Sequence, residues 1–170
     1  MPARLMTAPA AAAGTAHTNS TDEAVLGSVL IPANTLGRGV VLEVAGQVRA
    51  TATNSTDTLI VNARVHTSAA VAGTVVGTSG AVDATNDDVV DFDLRIIPRS
   101  AQNSTSGGLL VIGSMTAVGA EGTVTRRAVH QVMTGVDYAA DQYLVISADW
   151  SAASTGDSCQ LEAIYSKIYS

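Results

Sequence analysis

The sequence has a single cysteine, Cys159, in 170 residues. One thiol excludes an internal disulfide and any zinc cage built on cysteines. Charge is scarce as well: Asp, Glu, Lys and Arg make up 14% of the chain, against roughly 25% in an average soluble domain. Nine Lys and Arg stand against fifteen Asp and Glu, giving a net charge of −6 and a pI near 4.8. Phosphate binding needs clustered basic side chains, and the one adjacent pair here is Arg126–Arg127, so nucleic acid is not an expected partner. No stretch approaches the roughly 18 apolar residues of a membrane span, so no membrane partner is expected either. Aromatic residues are 4% of the chain. Trp150, Phe92 and four tyrosines are too few for the ring-lined cleft in which paired carboxylates hydrolyse glycosides.

What is present is a globular share of hydrophobic residues, 46%, in a chain the size of one domain. A surface this poor in charge is covered by Ser, Thr, Asn, Gly and Ala. It loses little free energy when pressed against another protein, because few charges need desolvating. The composition therefore points to a part of an assembly.

Hydrophobicity alternates with period two, which in a strand sends successive side chains to opposite faces. From Val40 to Ala50, Val40, Leu42, Val44, Gly46 and Val48 share a face, with Glu43, Gln47 and Arg49 opposite. From Asp57 to His66, Leu59, Val61, Ala63 and Val65 point inward. Val90, Phe92, Leu94 and Ile96 oppose Asp91, Asp93 and Arg95, and Leu144, Ile146, Ala148 and Trp150 oppose Tyr143, Ser147 and Asp149. A last strand, 158–169, is expected to bury Leu161, Ala163 and Tyr165. Less regular runs are 25–31, 71–78, 109–116 and 124–134. Leu109 to Ile112 is apolar on both faces, as in a central strand covered twice or facing a partner. Gly73 and Gly77 mark 71–78 as an edge or a loop.

Turn clusters separate these runs: Ala33–Thr35 with Gly37 and Gly39, Thr53–Ser55, Ser79–Gly80, Thr85–Asp87, Asn103–Gly108 and Ala152–Gly156. The segment 136–142 is too short to be a convincing helix and reads as a loop. Eight or nine strands without helices give an all-β fold, a jelly-roll-like antiparallel β-sandwich. It is expected as one domain over residues 18–170, preceded by a flexible N-terminal arm over 1–17 rich in Ala, Pro and Thr. The arm lacks the apolar middle of a secretory signal. Its Pro2, Arg4, Leu5 and Met6 are the expected interaction residues.

No residue pattern carries catalysis or holds a cofactor. His17, His66 and His130 show no metal-ligand spacing. No serine occupies a Gly-x-Ser-x-Gly elbow. Of the acidic group around Asp91 and Asp93, the turn residues Asp83, Asp87 and Asp88 are the candidates for calcium, although they lack the ordered spacing of an EF-hand loop. More simply they are solvated turn and strand faces. Asn-Ser-Thr triplets at Asn19, Asn54 and Asn103 fit turn chemistry, and the echo between 18–22 and 53–57 marks two turns entering strands. Cys159 reads as a small buried hydrophobe and Trp150 as a core anchor.

Two stretches carry a resemblance. One is Ile31–Pro32–Ala33–Asn34–Thr35–Leu36 with the Gly and alternating strand that follow. The other is Asp141–Gln142–Tyr143–Leu144–Val145–Ile146, then 149–158 leading into the final strand. Both resemble the jelly-roll structural proteins of tailed bacteriophages, found as capsid cement, head-fibre or tail-fibre domains. The resemblance implies a homotrimer and a place on the virion.

Three functions follow as expectations. The first is a capsid cement or decoration protein on the capsid surface, stabilising the head by binding the major capsid protein, with no enzymatic activity. The second is a fibre or receptor-binding domain, and the third an enzyme acting on surface polysaccharide. Loops of Ser, Thr, Gly and Asp without exposed rings count against the second.

Overall fold

The computed structural model describes residues 14–52, 56–119 and 122–170. Its eleven strands are β1 His17–Thr18, β2 Ala24–Ile31, β3 Val41–Thr51, β4 Thr58–His66, β5 Thr74–Thr78, β6 Val82–Asp83, β7 Val89–Pro98, β8 Gly107–Val118, β9 Val124–Val136, β10 Gln142–Trp150 and β11 Ser158–Tyr169. All pair antiparallel. One sheet has the order β1-β11-β3-β7-β8-β9, and the other β2-β10-β4-β5, with β6 also on β4. The chain crosses between sheets from β1 to β2, β2 to β3, β3 to β4, β6 to β7, β9 to β10 and β10 to β11. This is a jelly-roll-like sandwich, and every long run of alternation in the sequence is one of its strands.

The core lies between the sheets and is built from the inward half of each alternation. Val44, Val48, Leu94, Ile96, Leu109 and Val111 come from the six-stranded sheet, and Val61, Ala63, Leu144, Ile146 and Ala148 from the five-stranded one. Trp150 closes β10, is 1% exposed, and is the largest fully buried side chain among the described residues. The expected turns carry the strained backbone: Asn34, Asp87 and Asn103 all have positive φ, a conformation Asn and Asp tolerate through local hydrogen bonds.

Three local readings are revised. In β11 the pairing slips by one residue between Leu161 and Ala163. A bulge of this kind inverts the phase of the strand beyond it. Ile164 therefore enters the core, while Ala163 and Tyr165, expected inward, face solvent. The second revision concerns the start of the folded part. His17 is buried, pairs with Cys159, and the Gly14 amide donates to the Leu161 carbonyl at 2.9 Å. Pairing thus begins before residue 18. Pro2, Arg4, Leu5 and Met6 lie outside the described residues. The third is that Asn62 and Ser147, assigned to an outer face, are buried there by Glu23 (below).

Candidate functional site

Cross-strand register arranges the outer face of the six-stranded sheet into rows. At one end, Tyr169 pairs with Val41 across β11 and β3, and Ile97, Leu110 and Val132 pair across β7, β8 and β9; Val41 and Ile97 each stand one residue beyond the Leu42–Ile96 pair that ends the β3–β7 ladder. Val132 is 45% exposed and the other four are half-buried. Five apolar side chains abreast on a solvent face form a continuous strip rather than scattered surface residues. Sequence reasoning flagged only one part of it, the doubly apolar Leu109–Ile112, because the five residues are remote in the chain.

The loops at this end are tied to one another. Asn34 donates its amide to the Tyr138 carbonyl at 2.7 Å, and Tyr138 donates to the Ser104 carbonyl at 2.7 Å. Arg38 reaches the Ser100 carbonyl through its amide and the Arg99 carbonyl through Nε, both at 3.0 Å. The Ala33 amide meets Asp141 Oδ1 at 2.8 Å. Tyr138 is fully buried, and burial pushes its hydroxyl above the usual tyrosine range. Beside the strip these loops leave a depression of about 580 Å³ between Thr35, Arg38, Ala101 and Ile168. A surface held this firmly loses little conformational freedom when it docks.

The next row inward is charged. Glu43 accepts from Arg95 Nε at 3.1 Å and from the Tyr169 hydroxyl at 2.7 Å. Lys167 stands over the Tyr169 ring, 4.5 Å from its centre. Beyond it lie two rows of shorter side chains: Tyr165, Ala45, Asp93, Ser114 and Ala128, then Ala163, Gln47, Asp91, Thr116 and Arg126. Of these, the residues on β11, β3, β7 and β8 line an open trough of about 430 Å³. Tyr165, turned outward by the bulge, is 60% exposed at its rim. The signal for that bulge was in the sequence: the apolar Leu161 and Ile164 are three apart, which breaks period two.

The outer face of the five-stranded sheet is different. Glu23 folds over it, accepting from Arg64 Nε at 2.8 Å, Arg64 Nη2 at 2.5 Å, Asn62 Nδ2 at 3.2 Å and the Ser147 hydroxyl at 2.5 Å. Arg64 also donates to the Gly73 carbonyl at 2.7 Å. Burial raises the Glu23 pKa, but the hydrogen bonds from Arg64, Ser147 and Asn62 outweigh it and hold the group below its ordinary value. Asp149 shifts the other way, raised by burial and by the Glu23 charge.

The candidate calcium residues are not gathered into a site. Asp88 Oδ2 accepts from the Thr85 amide at 2.6 Å and hydroxyl at 3.0 Å, closing the turn, while Asp87 lies 3.5 Å from Arg49 Nη1. Asp83 sits in β6 with its side chain exposed. Among the described residues no three His, Cys, Asp or Glu side chains converge as a metal ion would require. Cys159 is buried, and burial pushes its thiol up to about 12. It is therefore a poor nucleophile at neutral pH. Among the described residues no helix is long and apolar enough to cross a membrane.

The fold and these faces define the class: an antiparallel, jelly-roll-like β-sandwich with one closed and one open outer face. No protein-family model matches the chain, and no curated protein sequence matches it. Similar solved structures include peanut lectin with a 9mer peptide, 10% identical over 100% of this chain and 98% of that one, with a TM-score of 0.41. A Lotus tetragonolobus seed lectin is 9% identical over 84% of this chain and 78% of that one, with a TM-score of 0.36. The CBM2 module of the evolved Dit of Lactobacillus casei BL23 phage J-1 is 12% identical, covering 82% and 67%, with a TM-score of 0.32.

Proposed function

We propose that this chain is a virion structural protein, a capsid cement or decoration domain without enzymatic activity. It docks by its loop-tied end onto neighbouring subunits of the major capsid protein. The observation that carries the reading is the apolar strip of Tyr169, Val41, Ile97, Leu110 and Val132 at the end of the six-stranded sheet. Burying such a strip contributes roughly 25 cal/mol per Å² of apolar surface removed from water. In the row behind it Glu43 and Arg95 are already ion-paired, so those two charges need no new partner.

The direction of the chain supports the same end. β1 runs antiparallel to β11, so going backward from His17 to Gly14 the chain heads toward Tyr169. Pro2, Arg4, Leu5 and Met6, which precede Gly14 in the sequence, are the arm residues this reading assigns to the capsid contact. Copies associate as homotrimers on the capsid surface, and repetition multiplies modest single contacts through effective concentration.

Deletion of residues 1–13, which spares β1, tests the contribution of the arm; Leu110→Glu tests the strip. Each variant is expected to remain folded by circular dichroism and to co-sediment poorly with phage heads lacking the protein. Normal decoration by both variants contradicts the proposal. Copy number separates it from the fibre or receptor-binding alternative, which predicts a few to a few dozen copies rather than hundreds.

A further inference from the structure

Between the charged row of Glu43 and Arg95 and the opposite end of the sheet lies the trough with Tyr165 at its rim. Its position is built rather than incidental. The bulge after Leu161 is what turns Tyr165 outward. Gly46 lets β3 lie close to the Ala163 carbonyl and over the Phe92 ring, where a Cβ would collide with both. Gly113, at φ 147°, does the same against the Asp93 carbonyl. These close approaches keep the floor low, with only Ala45, Ala163, Ser114 and Thr116 standing on it beside the polar groups.

The polar groups are unequal. The Asp91 carboxylate accepts from Gln47 Nε2 at 2.8 Å, which fixes the orientation of the amide. Asp93 is exposed and has no hydrogen bond or ion pair among the described residues. A metal ion would find one free carboxylate and no third ligand. An anionic ligand would meet two carboxylates. A peptide strand needs an exposed strand edge with free backbone donors and acceptors, yet β11, β3, β7 and β8 under the trough are paired to one another and present a face rather than an edge.

What fits an exposed ring face, one free carboxylate acceptor and a fixed amide is a neutral polyhydroxyl chain. We infer that the trough formed by Tyr165, Asp93, Gln47 and Ser114 binds a neutral hexose oligosaccharide. The sugar's C–H face lies on the Tyr165 ring while Asp93 accepts hydrogen bonds from adjacent hydroxyls. The trough crosses four strands, about 14 Å, and is open, so it takes a segment of a longer glycan rather than a terminal sugar. It stands two rows and more from the apolar strip, so docking by the strip leaves it facing solvent.

The test is amide chemical-shift mapping on the full chain with malto-, cello- and β-galacto-hexaose, and with a heparin hexasaccharide as the anionic control. At least one neutral hexaose is expected to shift Ala45, Asp93, Ser114 and Tyr165 saturably at about 10 mM, a weak single-site affinity. Tyr165→Ala should weaken that binding about tenfold, and Asp93→Asn should weaken it less, while Leu110→Glu leaves it unchanged. No shift of these amides with any neutral hexaose, equal shifts with heparin, or full binding by Tyr165→Ala overturns the inference. Because the readout uses isolated protein, it is independent of capsid attachment.

Discussion

The two outer faces of the sandwich are made from the same alternation and end in opposite conditions. On the five-stranded sheet, Glu23 leaves the loop before β2 and binds Arg64, Asn62 and Ser147, so its polar groups are consumed internally. On the six-stranded sheet the ion pairs lie along rows, and between and beside them the face stays open. Outward-pointing residues are thus not equivalent: one face maintains the fold and the other is available to partners.

The largest effect expected from breaking this contrast is on stability. Arg64→Ala removes the charged partner of a Glu23 carboxylate whose side chain is 20% exposed; Asn62 and Ser147 still donate to it, so the loss is that of charge-assisted hydrogen bonds, about 2 kcal/mol. The matching change on the open face, Arg95→Ala, breaks a pair whose arginine is 56% exposed and should cost at most about 0.5 kcal/mol. Urea unfolding of both variants measures the difference directly.

Acid should act on the closed face next. The folded-state pKa of Glu23 lies below its ordinary 4.5, so its stabilisation is present above that value and is lost as pH falls through the folded pKa. Asp149 has a raised folded pKa, so its protonation favours the folded state as pH falls and partly offsets the loss. Glu23→Gln should therefore flatten the acid side of the stability curve, and Asp149→Asn should steepen it. Urea midpoints measured from about pH 7 downward check both signs. The smallest effect is expected at the trough, where Tyr165→Ala should change stability by no more than about 0.5 kcal/mol despite its effect on binding.

The strands themselves were legible because each core residue repeats at period two within its own segment, as in Val90–Ile96 or Leu59–Val65. The turns were legible because Asn34, Asp87 and Asn103 mark backbone that most residues avoid. The faces were not. Val41, Leu110 and Tyr169 become neighbours only through register between strands, which no local pattern encodes. Glu23 lies 124 residues from Ser147, and nothing about a glutamate in a loop announces that it will cover a sheet. Tyr165 was placed on the wrong side because one extra residue in β11 inverts everything after it.

The most direct test of the contrast is hydroxyl-radical footprinting of the protein free and bound to phage heads. Oxidation of Leu110, Ile97, Val132 and Tyr169 should fall sharply on binding, while Leu30 and Val75, exposed on the five-stranded sheet, keep their reactivity. Protection of Leu30 and Val75 with the strip still oxidised would contradict the account.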